Sequence, residues 1–521
     1  MSLVFGKALK SASFVMGILL VIKVFGFVEK QVLAYFFGTG FQIDAYFVTF
    51  GILIGFWDCV RDLVGPAFLP VLVETKEKYT EAEGWKLISL VLNLLAIILF
   101  SLSLLCVIFA PSLVHLVAPG FEGERFRVAV NLARIMFAGA AFFGIEILTF
   151  LVLNSYRRFI LPVLGDFSFK VLGLMGLIAL YRPLGIYGLG IGILIGSLVA
   201  PLVHLLGLWK KRHLYQATLD TRFRPFRKVI SLMPPLMIGL FFIQGRRLID
   251  NAFASTLAVG SVASLTFAYR LIDFPFVAIA EPLAVVLFPF FSDLAVRHSR
   301  EELAETLRTA LKTILLVFIP LSIGLFMLRL PIIQLLFERG QFDASSTQMT
   351  VLPLTYYALG MTSYALEVVL LKFYYSLSDT RTPILLEAIA FTFHIALVYF
   401  LIGPLAHGGI ALAFTLSKTT KVLLLYALLK KKVGNLQFYN LLGFLGKLGL
   451  AGAAMGASIY FYHDWARALL DLSHLIGRGI LVGSSGMIGL MTFLIMVLLL
   501  RVQEVGVLVN LLHLKRMKAE I

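Results

Sequence analysis

Charged residues and cysteines are scarce in this sequence. Asp, Glu, Lys and Arg make up 14% of its 521 residues, against roughly 25% in an ordinary soluble domain. The two cysteines, Cys59 and Cys106, both lie in apolar segments, which argues against a disulfide framework and a cysteine-based metal site. The chain also lacks a GxxxxGK[ST] phosphate loop, an HExxH motif and a GxSxG motif, so neither ATP hydrolysis nor the common hydrolase mechanisms are expected.

Apolar residues are correspondingly abundant. Hydrophobic residues make up 60% of the chain, and the mean hydropathy is +0.94. Runs of about 20 apolar residues recur, and one such run, as a helix, crosses a hydrocarbon core of about 30 Å. Because backbone groups in lipid must be hydrogen-bonded within the protein, long runs without alternation predict helices rather than a barrel. We therefore predict an all-α polytopic membrane protein whose first apolar run is retained as a span and is not a cleaved signal peptide.

Fourteen transmembrane helices are predicted. They lie near residues 13–36, 43–71, 86–109, 127–153, 159–181, 185–209, 228–254, 259–291, 308–329, 346–375, 383–403, 408–430, 441–462 and 477–501. Lys and Arg gather in alternate connections and near both termini, which predicts that both termini lie on the cytoplasmic side of the membrane. With a net charge of +16, these connections predict contact with anionic membrane lipids and not with nucleic acid. Residues 502–518 are either a helix on the membrane surface or a frayed polar tail.

Short motifs recur about 220 residues apart, which indicates an internal repeat. Phe68-Leu-Pro70 recurs as Leu287-Phe-Pro289, and Pro183-Leu-Gly-Ile-Tyr-Gly188 recurs as Pro404-Leu-Ala-His-Gly-Gly409. The offset spans six helices, an even number, so both copies have the same orientation, as in transporters built from two pseudosymmetric halves. We predict an N-lobe of helices 1–6 (residues 1–220), a C-lobe of helices 7–12 (221–436), and helices 13 and 14 with the tail (437–521).

Charged residues inside the predicted spans are candidates for function, because a charge in lipid costs several kcal/mol unless it faces water or a partner. Spans 1, 2, 7 and 8 hold most of them: Lys23, Glu29, Lys30, Asp44, Asp58, Arg61, Asp62, Arg246, Arg247, Asp250, Arg270, Asp273 and Glu281. If these spans line a hydrated cavity, its arginines and lysines suit a pyrophosphate-bearing substrate. The alternative is internal salt bridging, for example between Arg270 and Asp273, three residues apart on one helix.

The later spans carry fewer charges: Glu367, Lys372, Glu387, His394, Lys418 and Lys421. Because no ATP motif is present, we expect an ion gradient or the membrane potential to drive transport. A membrane carboxylate such as Asp250 or Glu387 is a candidate site for a sodium ion or a proton; for each one, pairing with an arginine is the alternative. No other cofactor or metal is expected. In span 8, Pro275 and Pro282 predict a bend.

A set of motifs extends in order along the whole chain. The longest runs from Phe253 to Pro275 and reads FASTLAVGSVASLTFAYRLIDFP; others are Tyr35-Phe-Phe-Gly38, Asp44-Ala-Tyr-Phe-Val48 and Ala118-Pro-Gly-Phe121. This set resembles the MurJ/MviN family of lipid II flippases. The resemblance implies the MOP-exporter fold, with two six-helix lobes around a central cationic cavity and helices 13 and 14 forming a groove for a polyprenyl tail.

The resemblance also implies roles for individual residues. Arg270 matches the family's essential span 8 arginine, and Asp44 matches its span 2 aspartate. Asp250 falls near a span 7 carboxylate that is linked to cation binding in some members. The family alternates between inward and outward access and draws on the membrane potential or a sodium gradient.

Two regions depart from the family pattern. Where the first span usually reads Arg-x-x-Gly-Phe-x-Arg-Asp, this chain has Lys23, Glu29 and Lys30, and where span 2 usually carries an arginine pair it reads Gly55-Phe-Trp-Asp58. Arg246 and Arg247 are predicted to restore the missing positive charge from span 7. The predicted substrate-binding residues are Arg270, Lys23, Lys30, Asp44, Arg246, Arg247, Glu29 and Arg61.

The residues and the resemblance together favour a transporter over an enzyme. The first hypothesis is a monomeric flippase that moves lipid II from the inner to the outer leaflet by alternating access. The alternative cargo is another undecaprenyl-pyrophosphate glycan, such as an exopolysaccharide or O-antigen intermediate. A membrane glycosyltransferase with Asp44 or Asp62 as base is disfavoured by the parallel repeat and the lack of a sizeable extramembrane domain. A drug antiporter is disfavoured because a cationic cavity repels cationic drugs.

Overall fold

The computed structural model describes residues 21–502, apart from 23, 298–299, 434–437 and 473. These residues form helices joined by short connections, and no strand occurs among them. The predicted all-α class is therefore confirmed. Lys23, the beginning of the first predicted span and the tail beyond residue 502 lie outside the described residues.

The helices are numbered in chain order through the described part. They are α1 (24–37), α2 (Phe41–Lys78), α3 (Glu81–Ile108), α4 (Ala110–Val117), α5 (Gly123–Phe137), α6 (Ala140–Ser155), α7 (Ile160–Leu184), α8 (Tyr187–Leu208), α9 (Arg224–Ser255), α10 (Ser261–Pro275), α11 (Glu281–Val296), α12 (Arg300–Met327), α13 (Arg329–Leu336), α14 (Ala344–Ser376), α15 (Arg381–Leu405), α16 (His407–Val433), α17 (Phe438–Leu469) and α18 (Leu475–Leu499). A 3-10 turn, Trp209–Leu214, follows α8.

Most predicted spans correspond to one helix each. Twelve helical segments of the described part, with α10 and α11 counted together as one, are long and apolar enough to cross a membrane. The number is thirteen when α5 and α6, which are bent by 43° relative to each other, count as one broken span. Of the first predicted span, only the later part is described, as α1. Together these helices agree with the predicted architecture of about fourteen spans.

Span 8 consists of two helices and an irregular turn between them. A π turn, Phe276–Ala280, joins α10 to α11, with Pro275 just before it and Pro282 just after it. Proline removes a backbone hydrogen-bond donor, which disrupts the regular helical ladder, and π turns often occur at functional positions. The structure thus has an irregular helical segment between the two prolines, and the predicted bend of the helix stays a prediction.

The chain divides into two compact units, residues up to Ala263 and residues from Ser264 onward. In the first unit, α2 packs against α5, α6 and α9, and α7 packs along α8. In the second unit, α14 packs against α12 and α16, α15 packs against α16, and α17 packs against α18 and α12.

The boundary between the units lies after α9, whereas the repeat predicts a lobe boundary near residue 220. Helix α9 groups with the first unit because Phe226 and Val229 join an apolar core that also contains Phe68 and Trp85. Helices α17 and α18 belong to the second unit, where Phe493 is part of a core shared with α12. The division into 1–220, 221–436 and 437–521 describes repeat symmetry and stays a prediction.

Candidate functional site

Two glycines allow α9 to lie close against α2. A Cβ atom at Gly55 would stand 3.1 Å from Gln244 Oε1 and 3.7 Å from Arg247 Nη1, and one at Gly51 would stand 3.4 Å from Asn251 Nδ2. Residues four apart share one face of a helix, so these glycines form a smooth strip on α2. Small residues at such spacing let membrane helices approach closely. The approach brings the charged residues of both helices together.

Asp58 forms salt bridges with two arginines, Arg61 on α2 and Arg247 on α9. Its Oδ1 lies 2.9 Å from Arg61 Nη2, and its Oδ2 lies 3.3 Å from Arg247 Nη1. The Nε of Arg61 also donates to Asp62 Oδ1 at 3.1 Å. We call Asp58, Arg61, Asp62 and Arg247 the Asp58 cluster. It combines the predicted site residues Arg61 and Arg247 with two acids that sequence reasoning left outside the site.

Exposure differs sharply within the Asp58 cluster. The side chain of Asp58 is 16% exposed, whereas those of Arg61 and Arg247 are 51% and 41% exposed. A guanidinium group has five N–H donors, so each arginine keeps donors for a further anion while Asp58 fixes its position. The arginines of the cluster therefore form salt bridges and still have N–H donors that can bind a phosphate. Internal salt bridging and phosphate binding, the two alternatives considered from the sequence, do not exclude each other here.

The other predicted residues of α9 adjoin this cluster in the chain. Arg246 and Asp250 are half-buried, and both make contacts within the protein. Their proposed roles in substrate binding and cation coupling stay predictions. Among the described residues, no group of three or more His, Cys, Asp or Glu side chains is placed to hold a metal ion.

Glu29 and Lys30 of α1 form an enclosed pair. The Nζ of Lys30 lies 2.8 Å from Glu29 Oε1, and the two side chains are only 6% and 14% exposed. The same ammonium lies 5.4 and 5.7 Å from the ring centroids of Phe47 and Phe50, within range of a cation–π interaction. In this conformation Lys30 is engaged within the protein and offers little surface to a substrate.

Asp44 is fully buried and joins three parts of the first unit. Its Oδ2 accepts from Arg125 Nη2 at 2.7 Å and from the Gly260 N–H at 2.7 Å, and its Oδ1 accepts from the Ala263 N–H at 2.8 Å. Arg125 belongs to α5, and the two amides stand at the N-terminus of α10, where the helix dipole favours a carboxylate. We call this arrangement the Asp44 tie. Its geometry is that of a structural connection.

Gly260 makes the Asp44 tie sterically possible. Its φ of +93° lies in the left-handed region, where residues with a side chain are strained. A Cβ atom there would also stand 2.5 Å from the carbonyl oxygen of Thr39. Glycine at this position therefore lets the chain enter α10 with its amides directed at Asp44.

Arg270 lies on α10 in the second unit. Its Nη1 donates to Asp273 Oδ2 at 3.1 Å, and the side chains of Arg270 and Asp273 are 45% and 21% exposed. The i,i+3 salt bridge weighed from the sequence is therefore present. As in the Asp58 cluster, the carboxylate is more enclosed than the arginine that it orients.

Glu387 belongs to a network that sequence reasoning did not assemble. Lys421 donates to both Glu387 and Glu367, at 2.6 Å from Glu367 Oε1, and Lys418 Nζ lies 2.7 Å from Glu367 Oε2. We call these four residues, from α14, α15 and α16, the Glu367 network. Arginine was the partner considered for Glu387, and the structure gives it a lysine. The available signal was that Lys418 and Lys421, three apart, share one helix face.

Lys432 and Asp379 form an ion pair outside the spans, at the end of α16. Lys432 Nζ lies 2.5 Å from Oδ2 of Asp379, in the connection between α14 and α15. Burial raises the pKa of Asp379, but hydrogen bonds from Lys432 and Thr382 outweigh it and bring the pKa to about 2. Asp379 is therefore charged at neutral pH and holds the end of α16 to this connection.

Two solved transporter structures share this fold. A structure described as "Lipid II flippase MurJ, inward closed conformation" matches with a TM-score of 0.77 at 23% identity, covering 93% of this chain and 97% of that one. An inward-facing multidrug resistance MATE transporter of the MOP superfamily matches with a TM-score of 0.69 at 14% identity, covering 80% and 95%. The fold is thus shared with both of these proteins.

Sequence comparison narrows this class to one family. The family model for the lipid II flippase MurJ matches residues 33–476. The lipid II flippase MurJ of Burkholderia cenocepacia is 28% identical over 472 residues, covering 87% of this chain and 90% of the relative. The probable lipid II flippase MurJ of Bdellovibrio bacteriovorus is 29% identical over 408 residues, covering 76% and 77%.

The chain belongs to the lipid II flippase MurJ family. This is a family of multi-pass inner-membrane transporters and not an enzyme family. The resemblance drawn from the motifs is therefore confirmed.

Replacing Gly55 by leucine is expected to lower the free energy of unfolding by about 1–3 kcal/mol, because the larger side chain overlaps Gln244 and Arg247. Equilibrium unfolding in mixed detergent micelles measures the change. Gly239→Leu on α9 is the matched control, since a Cβ atom there meets nothing within 4 Å. Equal destabilisation by both substitutions would contradict a close α2–α9 contact at Gly55.

Replacing Glu367 by glutamine is expected to destabilise the protein by about 3–5 kcal/mol, because the substitution leaves buried lysine ammonium groups without their shared carboxylate. The control is Asp293→Asn, which breaks an exposed i,i+4 pair with Arg297 and should cost about 1 kcal/mol or less. Both are measured by the same unfolding assay. A Glu367→Gln variant as stable as the control would show that the network contributes no more than a surface pair.

Proposed function

We propose that this protein is a lipid II flippase, which carries the undecaprenyl-pyrophosphate-linked peptidoglycan precursor from the inner to the outer leaflet of a bacterial cytoplasmic membrane. The observation that carries the proposal is the family match over residues 33–476. It is supported by a relative named as a lipid II flippase whose alignment covers 87% of this chain. We also propose that the protein acts as a monomer and that both of its termini lie in the cytoplasm.

The half-exposed arginines are the proposed contacts for the pyrophosphate. Arg61, Arg247 and Arg270 each pair with a less exposed carboxylate. A planar guanidinium fork can bind two phosphate oxygens at once, and an arginine already held in place loses less conformational freedom on binding. The acids of the Asp58 cluster and Asp273 are therefore proposed to position the arginines before the cargo arrives.

The Asp44 tie is proposed to hold the extracytoplasmic ends of its helices together. In the proposed topology, α2, α5 and α10 all begin on that side. Asp44 connects the beginnings of α2, α5 and α10 through Arg125 and two amides.

The proposed cargo is tested by depleting the protein in its host and measuring lipid II in the inner leaflet. A lipid II flippase predicts that lipid II accumulates on the cytoplasmic face and that peptidoglycan synthesis stops. The control is the same strain carrying a second, constitutive copy of the gene. Unchanged lipid II with intact peptidoglycan synthesis would reject this cargo and favour another undecaprenyl-pyrophosphate glycan.

Replacing Arg246 and Arg247 together by alanine is expected to abolish complementation of the depleted strain, because α9 then loses the positive charge proposed to replace the missing family arginines. Arg297→Ala is the control, since that arginine is 69% exposed and pairs only one turn away with Asp293. Both variants are compared at equal membrane levels, measured by immunoblot. Full complementation by the double variant would remove these arginines from the proposed site.

A further inference from the structure

The Glu367 network joins equal numbers of acidic and basic side chains. It holds two carboxylates, Glu367 and Glu387, and two ammonium groups, Lys418 and Lys421. All four side chains are enclosed, with exposures of 6% for Glu367, 12% for Glu387, 11% for Lys418 and 3% for Lys421. A charge in such an environment must be neutralised by a nearby partner, and here each carboxylate contacts at least one lysine ammonium.

The network also lies well inside the membrane-spanning helices. Glu367 stands nine residues before Ser376, the last residue of α14, which is about 13 Å along the helix axis. Glu387 stands six residues after Arg381, the first residue of α15, about 9 Å from that end. The Asp379–Lys432 pair occupies the end itself. The network is thus a deep group, separate from the ion pair at the helix ends.

Lys421 occupies the position between the two carboxylates. Its ammonium contacts Glu367 from one side and Glu387 from the other, so it bridges α14 and α15 from its place on α16. A metal cation is held by the same kind of carboxylate oxygens. A sodium ion at this pair would have to displace the Lys421 ammonium, and it would meet the positive charge of Lys418 on Glu367.

We infer that Lys421 serves as a tethered cation at Glu367 and Glu387, so that this protein binds no alkali-metal ion at this pair. The inference rests on the proposed transport function and removes one possible energy source for it: sodium coupling through Glu387 does not operate. Removing the Lys421 ammonium takes one positive charge from between the two carboxylates, and one monovalent cation replaces that charge. An uncharged side chain at position 421 therefore opens an alkali-cation site.

The test measures the thermal unfolding midpoint of the purified full-length protein in detergent at alkaline pH. Sodium chloride is compared with choline chloride at equal ionic strength. The wild-type midpoint is expected to be the same in both salts, as is that of Lys421→Arg, which keeps the positive charge. In choline chloride, Lys421→Met is expected to have a lower unfolding midpoint than the wild type. Sodium is expected to raise the midpoint of this variant saturably, by at least about 2 °C.

The double variant Lys421→Met, Glu387→Gln tests whether the sodium-dependent rise of the midpoint comes from the Glu367 and Glu387 carboxylates. It has one carboxylate and one ammonium, and it is expected to show no sodium response. A sodium response that persists in the double variant overturns the inference. So does a sodium-specific stabilisation of the wild type that Glu387→Gln abolishes.

If Lys421→Met folds poorly, the yield of folded protein is compared between preparations in sodium chloride and in choline chloride. Folding in sodium but not in choline supports the inference, because the ion then replaces the ammonium. Failure in both salts, while Lys421→Arg folds, overturns it. None of these measurements involves transport, so a failure of the proposed lipid II activity is seen separately, in the depletion assay.

Discussion

Neutralising charge inside an apolar chain is the constraint on which much of this structure depends. A chain with 60% hydrophobic residues has little water inside its spans to solvate an ion, so a charge there needs a protein partner. Asp44 meets this requirement with one arginine and two helix amides, and Glu367 meets it with two lysines. Each solution joins three segments, so charge compensation also determines which helices pack together.

The ion pairs of this protein fall into two kinds that differ in the exposure of their side chains. In the Asp44 tie and the Glu367 network both partners are enclosed, and breaking such a pair costs several kcal/mol. In the Asp58 cluster and the Arg270–Asp273 pair the acid is the more enclosed partner and the arginine is half-exposed. The enclosed groups hold helices together, whereas the half-exposed arginines keep hydrogen-bond donors available for an anion.

The spans were predictable from sequence because hydropathy acts locally, over about 20 residues. The disruption near Pro275 and the Arg270–Asp273 pair were also local, within one or two helix turns. The partners of Asp44 and Glu387 were not predictable, since they come from helices distant in the chain. Contacts such as Asp44 with Gly260 depend on how each helix is rotated, and a hydrophobic pattern that lies all around a membrane helix does not determine that rotation.

The membrane potential is one energy source that suits the proposed cycle, beside a coupling ion at Asp250. A pyrophosphate-linked cargo is anionic, and a potential that is negative inside favours its outward movement by about 2.3 kcal/mol per charge per 100 mV. With the cargo released, half-exposed arginines such as Arg247 carry positive charge, which the same potential draws inward. Both halves of the cycle then run downhill without a co-transported ion, provided that the arginines move across part of the membrane field.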